Sequence, residues 1–171
     1  MRDEAFKIIR SHLEWLSDAR YSYDPAAILL EFGREMSVSK KPPRWLRLGP
    51  AKGCYSNSAH YALNRTDVTY VEGYAIDLVG PAIPIEHAWL VSQDGKVIDP
   101  TWSRSADYFY FGIAFKSAAV AQMITEDGAP NGLLDYSPAA RRRLSSRTSL
   151  LDALEGNIGD LSAEKQQFIP V

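Results

Sequence analysis

Residues 84–102 read PIEHAWLVSQDGKVIDPTW, and the fold turns on how this stretch pairs with itself. Two runs rich in β-branched and aromatic residues, PIEHAWLV and KVIDPTW, flank a turn signal and predict a β-hairpin. A two-residue turn at Asp94-Gly95 would set Leu90 opposite Asp99 and send His87 and Asp99 to opposite faces of the sheet. A three-residue loop, Gln93-Asp94-Gly95, sets Trp89 opposite Asp99 and brings the carboxylate to the face of His87, one diagonal neighbour away. Glycine at the third loop position suits a type I turn followed by a left-handed residue, so the three-residue loop is the expected one.

Working outward, VTYVEGYAI precedes this hairpin and YFYFGIAF follows it, both bounded by turn signals, which predicts an antiparallel sheet of about four strands. Towards the N-terminus, Phe6, Ile9, Leu13 and Leu16 recur at helical spacing over residues 4–17. Asp24-Pro25 opens a second helix, with Ile28, Leu29, Phe32 and Met36 on roughly one face. The next stretch, SVSKKPPRWLRLGPAKG, holds three prolines and two glycines and reads as an irregular linker. It delivers the chain to Cys54, at the start of a short helix over Tyr55 to Leu63 that Asn64 closes. Beyond the strands, KSAAVAQMI returns to helix, TEDGAPNG is loop, and Ser137-Pro138 caps a helix running into AARRRLSSRTSLLDALEGN. The expected architecture is α+β, with helices at both chain ends and the sheet between them. A single domain over residues 1–171 is expected, comprising N-terminal helices (1–40), a core (49–115) and a C-terminal helical region (116–171).

Composition narrows the function classes. A formal charge of −2 and a pI near 5.9 provide no basic field of the kind that draws a protein onto nucleic acid or an anionic membrane. No apolar run has the length of a membrane span, and the charged N-terminus lacks the core of a signal peptide, so a cytoplasmic protein is expected. The single cysteine forbids an internal disulfide. Cys54 is therefore a buried filler, a reactive thiol or a ligand.

A cysteine is a strong nucleophile only as thiolate, which a helix start and a nearby imidazolium both favour. Of the three histidines, His12 lies beside the apolar stripe of the first helix. His60 is six residues beyond Cys54 on the same helix and rotated about 240° away from it. His87 differs, because the hairpin supplies it with a carboxylate, Asp99. Cys54, His87 and Asp99 are also residue types that ligate zinc, which is the competing reading of the same three positions.

The ordered pieces GCYSNSA, YVEGYAI, HAW and GKVIDPTW resemble the transglutaminase-like superfamily of papain-type cysteine enzymes, over about residues 49–115. The resemblance implies a papain-like core, with a helix-leading cysteine packed on the antiparallel sheet. It matches Cys54 to the nucleophile, His87 to the general base and acid, and Asp99 to the residue that orients the imidazole. Gly73 falls in the matching V-x-G-Y piece, where a backbone approaches closely. The implied activity is acyl transfer at an amide bond through a thioester on Cys54, as a peptidase, amidase, deamidase or transglutaminase-type enzyme. It uses no cofactor or metal and takes a protein or peptide substrate. The alternative is a binding module that keeps the fold without turnover.

The backbone N–H of Cys54 is the natural first oxyanion donor. Trp45 N–H and the Asn57 side chain are candidates for the second, and Asn57 reads equally well as a helix anchor. Glu72 is either solvated or a groove residue. Trp89 and Trp102 are core residues or cleft walls. The run Arg141 to Arg143, with Arg147 nearby, reads as a charged helix face or as a site for phosphate or an acidic partner.

Overall fold

The structure, a computed structural model, describes residues 1–17, 24–39, 41–135 and 137–156, the side chain of Arg141 excepted. It is α+β: among the described residues six α-helices surround one five-stranded sheet, and helices occupy both ends. The helices are α1 (Arg2–Leu16), α2 (Pro25–Phe32), α3 (Cys54–Asn64), α4 (Ser117–Asp127), α5 (Pro138–Arg143) and α6 (Arg147–Ala153). The strands are β1 (Arg34–Val38), β2 (Val68–Asp77), β3 (Ile85–Ser92), β4 (Lys96–Ile98) and β5 (Tyr108–Phe115).

The sheet closes into a barrel in the order β1-β4-β3-β2-β5, where about four antiparallel strands were expected. The additional strand is β1. Met36 continues the helical spacing of Phe32, yet α2 stops at Phe32. Gly33 follows it at a point where a Cβ would lie 2.3 Å from the Leu29 carbonyl and 2.5 Å from the Phe111 ring. The chain then extends, pairing antiparallel with β5 and parallel with β4. Met36 and Val38 pack against the barrel interior.

Period-2 alternation in the strands separates two cores. Val71, Ala75, Trp89, Val91, Val97, Tyr110 and Ala114 fill the barrel. Tyr70, Tyr74, Ile76, Leu90, Phe109, Phe111 and Phe115 face outward and are covered by α1 through Ala5, Ile9 and Leu13, by α2 through Ile28 and Leu29, and by α3 and α4. Asp24 caps α2 as its sequence predicts, accepting from Ala26 N at 2.8 Å. The barrel is tight where Gly73 stands opposite Gly112. A Cβ on Gly73 would meet the Phe111 carbonyl at 2.2 Å, and one on Gly112 would meet the Trp89 ring at 2.6 Å.

The β3–β4 hairpin has the expected register: Leu90 faces Ile98 and Val91 faces Val97, with Gly95 at φ 72°. The long C-terminal helix does not form. Ser146 accepts from Ser149 N at 3.1 Å and starts α6 afresh, splitting the expected element into α5 and α6. A serine whose hydroxyl caps a new first turn competes with helix continuation. The last residue of that expected helix, Asn157, lies outside the described residues. No helix among the described residues is long and apolar enough to cross a membrane.

Candidate active site

Helix α3 begins with Cys54 as its first residue, behind Gly53 at the N-cap. The loop before it is held in three places. Gly49 N donates to Pro100 O at 2.8 Å. Asn57 Nδ2 donates to Pro50 O at 3.0 Å and to Thr101 Oγ1 at 2.9 Å. A side chain at position 49 would run into Asn57 Oδ1. Lys52, at φ 66°, takes the left-handed conformation that turns the chain into Gly53 and the helix. The N–H groups of Cys54, Tyr55 and Ser56 precede the first intrahelical bond, from Asn57 N to Gly53 O at 2.8 Å. One turn into the helix, Ser58 Oγ donates to the Ala88 carbonyl at 3.0 Å and fastens α3 to β3 beside His87.

The hairpin register brings the imidazole to Asp99. His87 Nε2 lies 2.8 Å from Asp99 Oδ2, and both side chains are withdrawn from solvent. Asp99 Oδ2 also accepts from the Tyr110 hydroxyl at 2.8 Å, while Oδ1 accepts from the backbone N–H groups of Thr101 at 2.7 Å and Trp102 at 3.0 Å. The carboxylate is thereby locked in one orientation, with Nε2 of the histidine directed at it and Nδ1 on the opposite side of the ring. Trp102 lies flat on the imidazole, ring centroids 3.7 Å apart and planes 4° from parallel. Trp89 stacks more distantly at 6.1 Å, inside the barrel, and serves as core.

Burial of His87 disfavours its charged form. The hydrogen bond to Asp99, the contact with Cys54 and the charges of both outweigh that cost, so its pKa is raised above the ordinary 6.5. The imidazolium persists to higher pH than that of a solvent-exposed histidine. Among the described residues no group of three or more His, Cys, Asp or Glu side chains is arranged to hold a metal ion. Both Asp99 oxygens are already committed to donors.

The remaining candidates fall in different places. The Trp45 ring packs on Tyr61 at 5.2 Å and under the Arg65 guanidinium at 4.1 Å. Tyr61 is about two turns along α3 from Cys54, so the contacts seen for this ring are with the later part of the helix and not with its start. Both N–H bonds of the Asn57 amide are spent on Pro50 and Thr101, which makes it the anchor of the loop and leaves no amide hydrogen for an oxyanion. Glu72 is buried on the outer barrel face. Its Oε1 accepts from Tyr70 OH and from Leu133 N, each at 2.7 Å, and its Oε2 accepts from Leu134 N at 2.8 Å. Burial raises its pKa, partly offset by these three donors.

Two arginines of the C-terminal region are engaged in ion pairs. Arg143 makes a paired contact with Asp127 at 2.8 and 2.9 Å and reaches Glu126, while Arg147 binds Glu31 at 2.7 Å. His12 rests edge-on against Tyr74, and His60 against Tyr61. Ser58, Thr101 and Tyr110 escaped the sequence reading, since hydroxyls that bond across elements leave no local signal. No protein-family model matches the chain, and neither a curated protein nor a solved structure does.

Proposed function

We propose that this chain is a cysteine-dependent enzyme that transfers acyl groups at amide bonds, with a core of the papain and transglutaminase-like kind and a protein or peptide as substrate. The observation that carries the reading is the buried imidazole of His87, bonded through Nε2 to a four-fold anchored Asp99, with Cys54 at a helix start acting on the same ring. The order of the parts also supports it: a helix-leading cysteine, then histidine on one arm of a hairpin, then aspartate on the other.

In the reaction, His87 Nδ1 takes the thiol proton and the thiolate attacks the amide carbonyl carbon. The developing oxyanion is met by the Cys54 N–H at the positive end of α3. As the C–N bond breaks, His87 returns the proton to the departing nitrogen, leaving a thioester on Cys54. Water or an amine then attacks the thioester, gives its proton to His87 and releases the acyl product, and the sulfur is reprotonated. Asp99 holds the ring in the required tautomer and supports the imidazolium.

The test is to trap the intermediate. Exposed to a peptide and amide library, the protein should gain acyl mass on Cys54, and hydroxylamine should remove it. Cys54→Ala should gain nothing and should not turn over any substrate so found. Turnover by Cys54→Ala at the wild-type rate overturns the proposal.

A further inference from the structure

Charge is distributed unevenly along the chain. From Met36 to Thr66 there is no Asp or Glu, while Lys40, Lys41, Arg44, Arg47, Lys52 and Arg65 fall in that span, leaving 13 of the 19 Lys and Arg to face all 21 Asp and Glu elsewhere. Lys40 lies outside the described residues. Arg65 is neutralised by a paired contact with Asp67 at 2.8 and 2.7 Å. Lys41, Arg44, Arg47 and Lys52 are exposed, and none of them meets a carboxylate among the described residues.

Hydrogen bonds hold the segment that carries these cations against α3 and the loop of Asp99. Arg47 N donates to the Tyr61 hydroxyl at 2.9 Å, and that hydroxyl donates to Arg47 O at 3.0 Å, which lays the segment along the helix. Further on, Gly49 N is bonded to the carbonyl of Pro100, the residue after Asp99, at 2.8 Å, and Pro50 O accepts from Asn57, about one turn beyond Cys54, at 3.0 Å. Arg47 Nη1 reaches the carbonyls of Arg44 and Leu46, each at 3.0 Å, so its guanidinium is fixed beside Arg44. Helix α3 carries no acidic side chain to offset these charges. Leu48 stands among them, 51% exposed.

Resting on the acyl-transfer reading above, we propose that the segment from Lys41 to Lys52 docks an acidic stretch of the substrate polypeptide, within a few residues of the amide that Cys54 attacks. Like charges left without a carboxylate of their own attract those of a partner, and a segment already fixed in place loses little freedom on meeting them. Leu48 adds apolar area between the cations. A peptide suits this strip better than a nucleic acid, because a long polyanion would run past it onto a protein whose remaining charge is net negative.

Chloroacetyl peptides test this, with alkylation of Cys54 followed by intact mass. The thiolate displaces chloride and forms a thioether. Each peptide joins the chloroacetyl group, at one end or the other, to a Gly-Ser spacer and four residues of Glu, Gln or Lys. In at least one orientation the Glu peptide should label about three- to tenfold faster than the Gln peptide at low ionic strength, with the Lys peptide slowest. Salt at about 0.5 M should erase the difference. The double variant Lys41→Gln/Arg44→Gln should lower the Glu to Gln ratio at least about twofold, whereas Lys7→Gln/Arg10→Gln, the same charge loss on α1, should leave it near the wild-type value. Because each ratio is taken within one protein, it is independent of that variant's overall reactivity. Equal labelling by Glu and Gln peptides in both orientations, or an equal fall in the two double variants, overturns the docking assignment and leaves the acyl-transfer reading standing. A chloroacetyl dT tetranucleotide that outpaces the Glu peptide does the same, since the strip is then a nucleic-acid surface. Failure of every probe, and of chloroacetamide itself, to label Cys54 overturns both.

Discussion

Asp99 receives four hydrogen bonds, three of them from groups other than the histidine it orients. Asp99→Asn keeps an acceptor for Nε2–H but removes the negative charge and turns an amide towards donors. We expect turnover to fall by about 10²–10⁴-fold, as when a triad carboxylate loses its charge. The pH profile carries a separate signature. Because the His87 pKa is raised above 6.5, we expect the alkaline limb of the proposed activity to lie at higher pH than an ordinary histidine would set. It should move to lower pH in Asp99→Asn, which an NMR titration of the His87 ring measures directly. Tyr110→Phe withdraws one donor from a buried carboxylate, and should cost about 1–3 kcal/mol of stability in urea unfolding with a smaller effect on the limb. These residues differ in how far the sequence reveals them. His87 and Asp99 declare themselves because Gly95 fixes the turn length, and turn length fixes which side chains share a face. Tyr110 does not, since its hydroxyl meets Asp99 across the barrel and its own strand reads only as aromatic.

At the scale of elements, the site depends on α3 being held against β3, and Ser58 supplies the polar fastening. Ser58→Ala should lower stability by about 1 kcal/mol while reducing the alkylation rate of Cys54 more than that loss accounts for, since the Ala88 carbonyl it releases adjoins His87. The strands were legible because β2, β3 and β5 are runs of β-branched and aromatic residues bounded by turn signals. Strand β1 was not, because five residues are too few to separate a period of 2 from one of 3.6 when Met36 satisfies both. The break between α5 and α6 was hidden for a related reason: a double serine at 145–146 is tolerated inside a helix unless one hydroxyl finds a first turn to cap. The paired glycines of β2 and β5 place the same two strands in close backbone contact, so Gly112→Ala must displace either the Glu72 carbonyl or Trp89. We expect a loss of about 1–3 kcal/mol or more, visible as a lowered Tm.

For the molecule as a whole, two buried groups contribute to the pH response in the same sense. Glu72 and His87 both have folded-state pKa values raised above 4.5 and 6.5 respectively. A raised pKa means that each contributes stability fully below its unfolded value and loses it as pH rises through its folded value. Glu72→Gln should therefore be most destabilising near pH 4, and the gap to wild type should narrow as pH rises through the Glu72 transition, measured by urea unfolding across the range. At this scale the sequence was least informative, because barrel closure is a relation among strands distant in the chain. The strand that completes the closure pairs Ser37 with Lys96 and Val38 with Val97, side by side with the arm that carries Asp99. Such a parallel contact spans almost 60 residues of chain and is slow to find. Until β1 docks, β4 and β5 each present an open row of N–H and C=O groups to other chains. During folding the protein is thus adhesive at the strand that leads into Asp99, and completion of the barrel and protection from self-association arrive in the same event.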